Sequence, residues 1–443
     1  MEDSQLLLSQ DTQKHHQDSE ITQQDFIFNC IRGKNDNDYK SIKSSMKKSI
    51  LNSKIESDRY IAKHQFGVLE DSIVDPLNEE QKRNGGWLWS GICMILSFIL
   101  TFVCMQKLMQ ARARHNVSFS ELGFRAMGKP GRFAVDLFLT LQQFGFVCGQ
   151  LYFILSTTET VIKDATPNHY DFSRIYIGII AFFVMTPLSY VRQVQKFAIF
   201  YIFADVLILV TVVTIIAYSS QSVVDHGWGE GDELLNKGAF LSMIGSSITA
   251  FEGIGIVIPL LDITEKPELY PRILFAVLCT VLFLYTFFAE FNYFAYGDKI
   301  VDPLITALLP TGIIVYLVKN FFTLNMVITF PLQVYPANII IESYIFKNMK
   351  PSKKEYILKN LSRTVLSALA VIVTISLGDG TDKFLSLVGS LACCPVSFAI
   401  PALLHYHLCN PTKNEKIVDI LLCVIAGLIL VFCTGFTIWT WNE

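Results

Sequence analysis

The chain changes character once. Residues 1–86 are polar, with Lys, Asp, Ser and Gln interspersed, and from Trp87 onward long apolar runs alternate with short polar breaks. A helix needs about 20 apolar residues to cross the hydrocarbon layer of a bilayer. Ten segments reach or approach that length: Trp87–Leu108, Phe133–Ser156, Ile175–Tyr190, Phe197–Ala217, Gly238–Leu261, Arg272–Tyr296, Thr311–Tyr335, Leu361–Leu377, Phe384–Tyr406 and Ile417–Trp441. The third and eighth are short. The pattern predicts an all-α polytopic membrane protein, with a polar, mostly disordered tail at 1–86 and a transmembrane domain at 87–443.

Composition agrees with the pattern. Only 17% of the residues are charged and 51% are hydrophobic, where soluble domains carry about 25% charged residues. The net charge of −3 points to no nucleic-acid partner. Of the 10 cysteines, most fall inside apolar runs, so neither a disulfide framework nor a metal cluster is expected. Cys393-Cys394 reads as a pair of small helix-packing residues.

Charge in the loops sets an orientation. Seventeen Lys and Arg follow the odd-numbered spans, among them Arg112, Arg125, Arg192, Lys266, Lys353 and Lys413; five, from Lys163 to Lys383, follow the even-numbered ones. The richer set faces the cytosol by the positive-inside rule. The first span then runs from outside to inside, which leaves the polar tail on the non-cytosolic side. The first 25 residues have no apolar core, so no signal peptide is expected to carry the tail across. The economical reading is that a helix is missing before Trp87. The stretch "FGVLEDSIVDPLNEEQKRNGG" at 66–86 cannot supply it, because its seven charged residues are costly in hydrocarbon. In the tail, "EDSQLL" fits an acidic dileucine pattern, with Glu2, Leu6 and Leu7 offered to a cytosolic sorting adaptor.

Ionisable residues inside spans are functional candidates, because the bilayer makes them expensive. Asp136, four residues from Arg132, reads as interfacial, and Glu290 lies six residues from the end of its span. Asp205 and Lys319 lie deeper and pair with each other or with backbone. Glu252 stands apart. Gly253 and Gly255 follow it, each costing about 1 kcal/mol of helix propensity, and Pro259 lacks a backbone donor. Ser246, Ser247 and Thr249 make the preceding turns polar. These features predict a discontinuous helix: one half ending near Ala250, an unwound Phe251-Glu252-Gly253, and a second half from Ile254. Free carbonyls of the first half attract an ammonium, and free N–H groups of the second attract an anion. The competing reading is a glycine-rich packing face around a buried, protonated Glu252.

Other features read as structural. Gly145-x-x-x-Gly149, with Gln142, Gln143 and Gln150, gives the second span a small, polar packing face. Pro331 and Pro336 end the seventh span with a kink. His405 and His407, beside Cys409, are chance residues of a helix end. No Gly-rich phosphate loop, H-E-x-x-H or G-x-S-x-G is present, no nucleophile–base pair is clustered, and no cofactor, metal or enzymatic activity is expected.

The segments "NGGWL" (84–88), "FEGIGIVIPLLDITEKPELYP" (251–271), "FAYGDKI" (294–300), "ITALLP" (305–310), "FPLQVYP" (330–336) and "SLVGSLACCPVSFAIPALL" (386–404) occur in one order along the chain. In this it resembles the amino acid/auxin permease family, closest to the proton-coupled and vacuolar amino acid transporters. The resemblance implies a LeuT-like fold of eleven helices, two inverted five-helix repeats plus one, with ten present here. The Glu252 span matches the first helix of the second repeat, and the absent helix is the first of the first repeat. The implied function is secondary active transport of small neutral amino acids by alternating access across a vacuolar or lysosomal membrane. It is driven by protons, with sodium the alternative ion. Phe251, Glu252 and Gly253 would meet the substrate amine, with Ser246, Ser247 and Thr249 lining the approach. Glu252, and after it Asp205, would be the proton-sensitive groups, because burial disfavours the charged form of a carboxyl. The alternative is a non-transporting membrane sensor or scaffold, or an inactive truncated form of such a transporter.

Overall fold

The structure is a computed structural model of the chain. It describes residues 86–442 except 167–172, 193–197, 230–233, 235–239, 265, 298–299, 301–304, 306–307, 311, 351 and 379. The chain divides into two units, 1–59 and 60–443, and every described residue belongs to the second. The tail, its dileucine pattern and the stretch in which a further span is expected therefore lie outside the described residues, save for Gly86.

The apolar runs fold as helices: α1 (Trp87–His115), α2 (Phe119–Ala165), α3 (Arg174–Ser189), α4 (Ala198–His226), α5 (Phe240–Ala250), α6 (Ile254–Ile263), α7 (Tyr270–Tyr296), α8 (Ile313–Ile345), α9 (Lys353–Leu377), α10 (Thr381–Val388), α11 (Ile400–Leu408) and α12 (Lys413–Trp439). Between α10 and α11 the helix widens into two π-helical turns, Gly389–Cys393 and Pro395–Ala399, without breaking. Among the described residues, eight helices are long and apolar enough to cross a membrane, α10 to α11 counting as one, and α3 and α5 are shorter apolar helices. Each of the ten expected spans thus coincides with a helix, the fifth with the α5–α6 pair.

Several helices outrun the hydropathy pattern. α2 begins at Phe119, fourteen residues before the expected span, and bends at Gly128, whose φ of 70° only glycine adopts without strain. Pro331 and Pro336 do not end α8, which runs on to Ile345. Each proline forfeits one backbone bond, a loss that a helix packed along its length against α2 and α4 absorbs. α9 starts at Lys353, where the Ser352 hydroxyl accepts from the Glu355 N–H.

α2 and α8 form the longest interface and run antiparallel. At one end Lys319 pairs with Asp164 at 3.1 Å, and at the other Tyr344 donates to Asp136 at 2.7 Å. The antiparallel register corrects one expectation. It brings Lys319, 2% exposed, to the end of α2, so its ion-pair partner is Asp164 and not Asp205. Asp136, at the opposite end of the pair, is buried in protein and accepts from Ser120 and Tyr344. Arg132 faces Glu121 instead, at 3.8 Å.

At the end of the bundle that the charge pattern assigns to the cytosol, α1, α11 and α12 share a buried ionic cluster. Asp419 lies 2.7 Å from Lys107 and 2.8 Å from His405 Nδ1. His405 Nε2 lies 2.9 Å from Gln110 Oε1. His405 is therefore no chance residue of a helix end, because it ties α11 to two neighbours. Removing one member of a buried pair strands the other charge, at a cost of about 3–5 kcal/mol. Asp419→Ala is expected to lose stability of that order, and Lys107→Met with Asp419→Leu to recover most of it. Thermal unfolding of the purified protein in detergent checks both, and a native melting temperature for Asp419→Ala contradicts the assignment.

Candidate functional site

α5 stops where its sequence stops favouring helix. The Phe251 N–H bonds Ile248 O at 3.3 Å and the Glu252 N–H bonds Thr249 O at 3.2 Å, so the last turn tightens to i→i−3 bonds. Glu252 and Gly253 are outside any helix, and α6 begins at Ile254. The break falls at the expected residues.

A helix start leaves its first N–H groups without intrahelical partners. Here the Glu252 carboxyl is turned toward the N–H groups of Gly253, Ile254 and Gly255. An anion is favoured at that end of a helix, so the chain's own acid occupies the position expected for an external one. Glu252 is partly buried, and its Oε1 is fully buried with no hydrogen-bond partner among the described residues.

Two elements wall the break. On one side runs α2. A Cβ on Gly255 would sit 3.4 Å from Leu139, the Gln142 side chain faces the Glu252 carboxyl, and Gly145 and Gly149 lie under Val388 and Leu385 of α10. The small face of α2 thus does serve packing, as expected, while its Gln142 reaches the break. On the other side is α10 with its π-turns. Gly245 of α5 and Gly389 approach backbone to backbone, with the Thr249 hydroxyl alongside. Ser386 donates to Ser242 O at 2.7 Å, and Thr249 donates to Gly245 O at 3.1 Å and Leu385 O at 3.4 Å. The buried Cys393 thiol neighbours both Thr249 and Glu252. π-Turns often occur at functional sites, and these two lie against the break.

The expected site residues separate into groups. Glu252, Gly253 and Thr249 meet at the break. Ser246 and Ser247 are buried and return their hydroxyls to Ser242 O and Met243 O, at 3.2 and 2.8 Å. Phe251 is 2% exposed and turns the other way, into an apolar cluster with Phe98 of α1 and Tyr285 of α7. Asp205 is on α4, which packs on α7 and α8, and is not brought to the break. Gln142 and Cys393 were read as packing residues. Only the glutamine's polarity, shared with Gln143 and Gln150 on that helix, signalled more.

A profile for "transmembrane amino acid transporter protein" matches residues 83–439, and the chain belongs to that family of multi-pass membrane transporters, not enzymes. It is 27% identical over 354 residues to "Vacuolar amino acid transporter 3" of Schizosaccharomyces pombe, covering 80% of this chain and 54% of that protein. It is 27% identical over 376 residues to "Amino acid transporter ANT1" of Arabidopsis thaliana, covering 78% of this chain and 84% of that one. The chain spans about half the length of the fungal relatives it matches. Among solved structures it is similar to the Eremococcus coleocola manganese transporter, with a TM-score of 0.56 at 11% identity over 86% of this chain and 87% of that one. That likeness concerns the fold, which is LeuT-like.

The contact between α5 and α10 allows a direct check. A Cβ at Gly389 would collide with Gly245 O and the Thr249 hydroxyl, whereas one at Gly427 of α12 meets nothing within 4 Å. Gly389→Ala is expected to cost roughly 1–3 kcal/mol, and Gly427→Ala to be neutral or up to about 1 kcal/mol stabilising. Parallel melting curves decide, and equal stability of the two variants contradicts the close approach.

Proposed function

We propose that this chain is a secondary active transporter of small neutral amino acids. The observation that carries the reading is the interrupted α5–α6 helix, with Glu252 at the interruption and a polar, glycine-lined wall on either side. Non-helical backbone at membrane depth persists where it is buried in protein or lines a cavity. Half-helix ends offer a polar substrate the partial charges it needs. Family membership supports amino acids as the substrate class. The names of the fungal relatives support a vacuolar membrane as the location.

Protons are the proposed driving ion, with sodium the alternative, and alternating access of a helix bundle against a scaffold is the proposed cycle. Glu252 is the proposed proton-sensitive group. It is an intramembrane carboxyl with one oxygen unpartnered among the described residues, in contact range of the groups that a substrate would meet. Asp205 stands away from the break and has the weaker claim.

Uptake of radiolabelled amino acids into vesicles carrying the full chain, with and without an imposed pH gradient, tests the reading. The native chain is expected to accumulate substrate in response to the gradient. Glu252→Gln is expected to lose that response while still reaching the membrane. Gradient-driven uptake by Glu252→Gln equal to native removes Glu252 from the mechanism, and no uptake by the native chain overturns transport itself.

A further inference from the structure

The connection between α8 and α9 carries Lys347, Lys350, Lys353 and Lys354, and no acid lies anywhere in 343–354. It is short, with one turn closed by a 3.0 Å bond from the Met349 N–H to Phe346 O. It lies at the end of the bundle that the charge pattern assigns to the cytosol. All four lysines are exposed, and among the described residues none has an ion-pair partner.

The acids that could neutralise them are engaged elsewhere. Glu342, near the end of α8, takes Arg363 at 2.6 Å. Glu355, in the first turn of α9, takes Lys359 at 2.7 Å. Where α2 meets this end of α8, Asp136 accepts from Ser120 and Tyr344, and Glu121 faces Arg125 and Arg132. Four cations are left over on one connection.

Neither helix stability nor orientation calls for that arrangement. Lys353 and Lys354 occupy the first turn of α9, where the helix field disfavours cations. Orientation asks for basic residues in cytosolic loops and does not ask for acids to be absent. Other connections at this end mix the signs: Glu121 stands among Arg114, Arg125 and Arg132, and Glu415 between Lys413 and Lys416.

The helix turns that flank the lysines are apolar on the outside. Tyr344 and Ile345 at the end of α8, and Tyr356 and Ile357 at the start of α9, are exposed. Tyrosine collects at headgroup level, and clustered lysines beside a membrane-spanning helix attract anionic lipid. Charge this concentrated is matched by a headgroup that is equally concentrated. Two phosphomonoesters at roughly −1.5 to −2 each, with one phosphodiester, bring about four to five negative charges to four lysines.

We propose that the α8–α9 connection binds the multiply phosphorylated headgroup of an inositol lipid in the cytosolic leaflet. Lys347, Lys350, Lys353 and Lys354 meet the phosphates, and Ile345 and Ile357 lie against the acyl chains. The site does not involve the α5–α6 junction and does not rest on the transport reading.

Titration of the detergent-solubilised full chain with fluorescent short-chain phosphatidylinositol bisphosphate tests it. The native chain is expected to bind saturably, and more weakly as salt rises. Each lysine near an anionic surface is worth roughly fivefold in affinity. Lys353→Gln with Lys354→Gln is therefore expected to weaken binding roughly 25-fold, and changing all four lysines to Gln to abolish it. Changing all four to Arg keeps the charge and is expected to keep binding. Lys413→Gln with Lys416→Gln removes two charges from the same end of the bundle and is expected to leave affinity unchanged. No saturable binding by the native chain overturns the inference, as does native affinity after the four Gln changes. An equal loss from the 413 and 416 changes reduces the site to general surface charge and overturns it. So does a loss of binding seen only with a lowered melting temperature. Phosphatidylserine bound as tightly as the bisphosphate overturns the match to a multiply phosphorylated headgroup. Inositol trisphosphate bound as tightly as the lipid overturns the assignment to a membrane surface.

Discussion

Backbone N–H and C=O groups inside a bilayer have no water to turn to, and that constraint organises this molecule. A chain that interrupts a helix at membrane depth must supply partners for the freed groups. The interruption at Phe251–Gly253 is met in three ways. The last turn of α5 tightens, so that Ile248 O and Thr249 O keep partners. The Glu252 carboxyl faces the first N–H groups of α6. The whole junction is then enclosed by α2 and by the widened helix from α10 to α11, the most deeply buried of the long apolar helices described. The glycines follow from this enclosure. Gly245, Gly389 and Gly145 let the walls approach closely enough to exclude lipid, and a Cβ at any of them would meet a neighbouring chain segment.

The ionic clusters lie at helix ends, away from the junction. Lys107, His405 and Asp419 hold α1, α11 and α12 together at one end. Arg363 pairs with Glu342 at 2.6 Å and donates to Ser189 O and Val191 O, joining α9 to α8 and to the end of α3. Buried pairs of this kind contribute little net stability over an apolar core, but breaking one is costly, so they fix which helices meet and in what register. Around the junction the bundle presents small residues, hydroxyls, the Gln142 amide and the Glu252 carboxyl. An apolar frame pinned at its ends, around a polar junction, is a physical basis for binding a small charged molecule in the membrane interior.

Much of this was legible in the sequence because the information was local. The period of apolar runs placed ten spans. Glycines at 253 and 255 next to Glu252 placed the break to the residue, since helix propensity and the missing proline donor act within one or two turns. What the sequence did not display was long-range partnership. Lys319 was assigned a partner by depth alone, and the antiparallel meeting of α2 and α8 gave it Asp164 instead. His405 seemed incidental until Lys107 and Asp419, 298 and 14 residues away along the chain, were brought beside it. The prolines of α8 were read as a terminus because propensity ignores the neighbours that support a helix. Gln142 was counted among packing residues because its partner, Glu252, is distant in sequence.

The central claim is that the α5–α6 junction is where the ligand binds. Hydrogen–deuterium exchange of the full chain in nanodiscs, with and without a saturating amino acid mixture, addresses it directly. The account predicts that ligand slows exchange in peptides covering 251–256 and in those of α2 around Gln142. Peptides around His405 and Asp419 should be unchanged. Protection confined to another part of the bundle, with no change at the junction, would contradict it.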